Sequence, residues 1–188
     1  MTGVQTCALP IFGMRAMLTR GSMNLSKVDG GPPGKSVVQT AEVILADSER
    51  LIHRYHERGD GAQIQIALAP CSPFSVTTDL MCSCAELAER YDVRLHTHLG
   101  ETLDEQPFCA QRFGMRTVDY LQSVGWLGPR TWLAHGIHFN QVEMHRLGAA
   151  GVGICHCPSS NMRLASGICH TLELENKGAI IEIGRAHV

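Results

Sequence analysis

Short apolar runs alternate with amphipathic stretches five times along the middle of this chain, and that rhythm restricts its fold more than any other property. Met14–Leu18, Ile64–Ala69, Val93–His98, Trp132–His135 and Val152–Cys155 are each too short for a helix and apolar enough to be strands buried on both faces. After the first run comes a Gly/Pro-rich loop, Gly30 to Gly34, and then a helix whose positions Val37, Ala41, Ile44, Leu45, Leu51, Ile52 and Tyr55 follow the 3.6-residue period. Ser36 with Gln39 reads as its capping box and Gly59 as its stop. A second helix presents Leu80, Cys84, Leu87, Ala88 and Tyr91 on one face, and Gln106–Phe113, Thr117–Val124 and Gln141–Leu147 continue the pattern. Strand and helix in strict alternation mean parallel strands joined by right-handed crossovers. Two α/β architectures satisfy this, an open doubly wound sheet or part of a (β/α)8 barrel. No G-x-G-x-x-G follows any strand, whereas Cys71, His98 with Glu101, His135, and His156 with Asn161 gather where strands end. Reactive groups at the carboxyl ends of successive strands are how barrels build their sites, so the expectation is an incomplete barrel.

Composition narrows the functional classes. The 188 residues suit one domain, and 44% hydrophobic with 18% charged residues suits a packed globule. Sixteen basic against eighteen acidic side chains leave a formal charge of −2, no footprint for nucleic acid or an anionic membrane. No apolar run approaches the ~20 residues of a membrane span, and Met1–Phe12 lacks the pattern of a secretory leader. The expected setting is therefore cytoplasmic, with the eight cysteines as thiols and not a disulfide framework.

Both ends look foreign. Residues 1–11 back-translate onto a common sequencing-library adapter, and residues 182–188 onto its reverse complement followed by a stop codon. Two matches in opposite senses at opposite ends lead us to read 1–11 and 182–188 as adapter translation, with residues 12–181 the protein proper.

Within that span, L-H-T-H-L-G-E at 95–101 carries the most chemistry. On a strand His96 and His98 project to one face and Glu101 falls just past its end, an arrangement suited to a metal ligand with a neighbouring proton shuttle. The plainer reading is two hydrogen-bonded interior histidines and a helix-start glutamate, and spacing alone does not choose. His135 ends a buried run, where it is a satisfied core group or a site residue; His138 reads as a loop residue. Cys155 and Cys157 flank His156 too closely for a closed zinc site, and Cys82 and Cys84 point apart on a helix, so these four thiols read as structural.

H-T-H-L-G-E-T, W-L-A-H-G-I-H-F, A-L-A-P-C-S-P-F-S and H-C-P-S-S-N-M-R-L-A-S-G together resemble the amidohydrolase superfamily, in its atrazine chlorohydrolase-like branch and nearest the 8-oxoguanine deaminases. The resemblance runs from about Gly13 to Ile181. It implies a (β/α)8 barrel, here about strands three to seven, with one catalytic divalent ion, usually zinc. It makes His98 the metal ligand from strand five, Glu101 the proton shuttle and His135 the group that orients the attacking hydroxide. Cys71, Asn161 and Arg20 would line the pocket of a small heterocyclic substrate. The H-x-H pair of strand one and the aspartate of strand eight have no counterpart, so three of four expected ligands are missing. A lone imidazole does not hold catalytic zinc, and the chain as it stands is expected to be inactive. The intact enzyme would hydrolyse an exocyclic amine from an amino-purine such as 8-oxoguanine, giving urate and ammonia, and its subunits could pair with copies of themselves. The alternatives are a chlorohydrolase or other purine or pterin deaminase of the branch, a non-catalytic Cys/His metal-binding domain, or an open reading frame with no function of its own.

Overall fold

A computed structural model describes residues 13–26, 37–59 and 61–183. The expected capping residue Ser36, the Gly/Pro loop and most of both terminal stretches lie outside these. Six strands form one sheet: β1 (Ala16–Ser22), β2 (Ile64–Pro70), β3 (Arg94–Leu99), β4 (Thr131–His135), β5 (Gly153–His156) and β6 (Ile180–Ile183). All neighbours are parallel and the spatial order is β1-β2-β3-β4-β5-β6. A doubly wound sheet reverses its order at a switch point; this one never does, so it is a barrel wall.

Between the strands stand α1 (Ala41–Tyr55), α2 (Thr78–Tyr91), α3 (Glu105–Phe113), α4 (Thr117–Ser123), α5 (Gln141–Ala149), α6 (Pro158–Leu164) and α7 (Thr171–Asn176). The first helix starts later than the apolar period suggests. Thr40 is its N-cap, accepting from the Val43 amide, so exposed Val37 lies outside it. It closes at His56, whose amide bonds Ile52 O, before Gly59 is reached. β1 is likewise shifted toward the C-terminus of the expected Met14–Leu18, because its ladder follows β2 from Ala16↔Ile64 to Ser22↔Pro70. β6 adds a sixth strand to the expected five, pairing Ile180 to Ile183 with Gly153 to His156. Its last two residues fall within the terminal stretch, where Ile-Glu-Ile retains the β-branched character that a sheet edge accepts.

Alternation along each strand separates two faces. Leu95, Thr97 and Leu99 of β3 are buried under the helices, and His96 and His98 take the opposite face. Leu68, Leu80, Leu99, Leu121, Leu133, Leu147 and Ile154 form the core between sheet and helices. Trp126 is fully buried there, its indole N–H donating to Met81 O at 2.9 Å. Among the described residues no helix is long and apolar enough to cross a membrane.

Candidate active site

The carboxyl ends of β2, β3, β4 and β5 bring together Cys71, His98, Glu101, His135 and Asn161. His98 is fixed by the residue that follows β2: its Nδ1–H donates to Cys71 O at 2.7 Å, with the Cys71 thiol 3.9 Å away. That bond leaves Nε2 as the nitrogen free to act as a ligand. Burial opposes the charged imidazole, but the Cys71 thiol and carbonyl and the Glu101 carboxylate outweigh it and raise its pKa to about 9. Burial alone would raise the Cys71 thiol; His98, with Ser75 and Ser72, brings it below its ordinary value.

His135 ends β4 with φ of 76°, a left-handed backbone that few residues other than glycine adopt. Its ring is 5.4 Å from that of His98. Nδ1 bonds Asn161 Oδ1 at 2.7 Å, and Nε2 lies 3.3 Å from Glu101 Oε1. Asn161 is 2% exposed, and its Nδ2 has no partner, a buried donor left for a ligand. Two turns hold this geometry. Gly100 (φ 67°) leaves no room for a side chain, since a Cβ there would meet the Phe139 ring at 2.9 Å. Its carbonyl accepts the amides of Ile137 at 2.8 Å and His138 at 3.0 Å, stitching the loop after β3 to the loop after β4.

Other expected residues lie elsewhere. His96 shares the face of His98, yet it stacks on Trp132 with ring centroids 4.6 Å apart and bonds Trp132 O at 3.1 Å. Burial, then the charge of His98, lowers its pKa to about 4, as suits a neutral packing group. The expectation for Arg20 is corrected by parity. Arg20 pairs in register with Leu68, and Leu68 with Leu95, so it sits on the helix-facing side, opposite His98. There its guanidinium bonds Asp47 at 2.8 Å and Gln39 at 2.7 Å. His156 shares the face of Ile154 and does not join the cluster. His138 is a loop residue whose Nε2–H donates to Ser166 O at 2.8 Å. Cys157 bonds the Cys155 carbonyl at 3.3 Å; hydrogen bonding between the two thiols lowers Cys157 to about 6 and raises Cys155. Sequence reasoning missed Glu105, buried beside Gly100, because a glutamate opening a helix ordinarily points to water.

Among the described residues no three His, Cys, Asp or Glu side chains converge as a metal ion needs. His98 offers one free nitrogen, and the set around it is too small to complete a coordination shell.

The sequence matches the amidohydrolase family over residues 5–187. It is 72% identical over 181 residues to an 8-oxoguanine deaminase of Pseudomonas aeruginosa, covering 96% of this chain and 40% of that protein. It is 36% identical over 152 residues to a hydroxydechloroatrazine ethylaminohydrolase of Pseudomonas sp. strain ADP, covering 81% of this chain and 31% of the relative. The crystal structure of an atrazine chlorohydrolase from Arthrobacter aurescens TC1, complexed with zinc, superposes with a TM-score of 0.89 at 31% identity, over 95% of this chain and 39% of that one. The chain thus spans well under half the length of these proteins. The family match spans nearly the whole chain and the sheet superposes on a solved member: the chain belongs to the amidohydrolase family.

Proposed function

We propose that this chain is a segment of an aminohydrolase barrel that removes the exocyclic amine of an amino-purine, with 8-oxoguanine the leading substrate. The observation that carries the reading is the meeting of Glu101 and His135 at 3.3 Å, beside His98, at the carboxyl ends of neighbouring strands. Identity of 72% to an 8-oxoguanine deaminase supports the substrate class. In the reaction water adds to the ring carbon that bears the amine, the C–N bond breaks, and ammonia leaves behind a ring carbonyl. Glu101 takes one proton from the water and gives it to the ring nitrogen, then takes the remaining proton of the new hydroxyl and gives it to the departing amine. His135, fixed by Asn161, holds the attacking oxygen in line. Asn161 Nδ2 and the Cys71 thiol face the heterocycle. His98 is the ligand that this segment gives to a zinc ion whose remaining ligands lie outside it. Residues 1–11 and 182–188 are adapter translation in this reading, which resequencing of the flanking DNA checks.

The test places residues 12–181 in a full-length chain, replacing the corresponding residues of the Pseudomonas aeruginosa relative. The chimera is expected to release ammonia from 8-oxoguanine, and the 188-residue chain alone to release none. Glu101→Gln should lower kcat by roughly 10²–10⁴-fold and keep the bound metal, whereas His98→Ala should lose the metal. A chimera inactive on amino-purines, or a Glu101→Gln protein emptied of metal, overturns the reading.

A further inference from the structure

Glu105 is the buried acid that the reaction above leaves unused. It opens α3 and is 1% exposed, although a carboxylate out of water needs strong compensation. Its partners are backbone groups of the catalytic loop. Gly100 N–H donates to its Oε2, and the Glu101 backbone adds another hydrogen bond. The same Gly100 residue accepts the amides of Ile137 and His138 from the loop that follows His135. One residue is therefore gripped by Glu105 through its N–H and by the His135 loop through its C=O, with Phe139 packed where a side chain would stand. Rotation about this backbone is what would swing the Glu101 carboxylate away from His135.

We propose that Glu105 is a positioning residue for the deamination, setting the Glu101 carboxylate against His135 through the Gly100 backbone. The inference rests on the roles given above to Glu101 and His135. Glutamine keeps the length of Glu105 and the acceptor oxygen that the Gly100 amide bonds.

The experiment uses the full-length chimera, with steady-state kinetics on 8-oxoguanine and amide hydrogen exchange on the peptide spanning Leu99 to Thr102. Glu105→Ala should lower kcat by about 10–100-fold with KM little changed, since a misplacement of about 1 Å at a reacting group costs that much. It should also speed exchange at Gly100 about 10-fold or more, while core amides such as that of Leu133 stay protected. Glu105→Gln should restore most of both. Should Glu105→Ala fail to fold, Glu105→Asp decides the matter: its shorter reach must free the Gly100 amide and lower kcat. An unchanged kcat in the folded variant, or exchange unchanged at Gly100, overturns the proposal. Inactivity of the unsubstituted chimera instead overturns the functional reading beneath it, so the two failures are told apart.

Discussion

His135 combines a strained backbone with a fully engaged ring. A left-handed residue other than glycine costs about 1–3 kcal/mol, and at the end of β4 that conformation turns the imidazole toward both Asn161 and Glu101. Asparagine tolerates the same backbone, so His135→Asn removes the ring without adding strain. In the full-length chimera we expect kcat to fall roughly 10²–10⁴-fold with most of the metal retained. A parallel zinc titration checks this; rescue of the rate by added zinc would place His135 among the ligands. The convergence of Cys71, His98, Glu101, His135 and Asn161 was readable from sequence because each is a polar residue terminating or following an apolar run. Arg20 was not, since the face a residue occupies depends on pairing register, which one strand's sequence does not contain. Glu105 was hidden for a related reason: its burial goes with a bond from the Gly100 amide, which the helix pattern alone does not contain.

Strand β3 carries two histidines whose titrations move in opposite directions. His96, lowered to about 4 from 6.5, stays neutral in the fold while the unfolded chain takes up a proton. Its share of stability is present above pH 6.5 and lost as pH falls through 4, at most about 3 kcal/mol. His98, raised to about 9, contributes below pH 6.5 and loses that contribution as pH rises through 9. His96→Gln, which cannot protonate, should therefore shrink the drop in urea midpoint between pH 7 and pH 4.5, with His98 acting equally in both proteins. An equal drop in variant and parent would show that His96 does not titrate as described. Helix boundaries were only partly legible at this scale. Asn140 and Glu143 cap α5 reciprocally, and buried Glu143 also takes a two-pronged bond from Arg116 at 2.8 and 2.9 Å, ahead of α4. Such a cap is written in adjacent residues; its partner on another helix is not. The start of α1 shows the same limit, because Val37 fits the helical period while the hydroxyl of Thr40 ends it.

Among the described residues, β1 has β2 as its one neighbour in the sheet and β6 has β5, so both outer edges present unpaired backbone there. Exposed Met17 and Ile180 lie near them, on the face of His96. The 188-residue chain is accordingly expected to associate with copies of itself as concentration rises, and Met17→Lys with Ile180→Lys to suppress it. Sedimentation velocity over a concentration series measures this, and a monomer throughout would contradict it. Alternation of runs made the parallel wall legible; how many strands it holds was not, because a four-residue edge such as Ile180–Ile183 has too little pattern to stand out. The unbroken spatial order has a consequence for synthesis on the ribosome. Translation delivers about 5–20 residues per second, whereas helices and local contacts form within microseconds. The edge on which each strand after β1 belongs is made before that strand, so none need wait for a later one and assembly is free to follow translation.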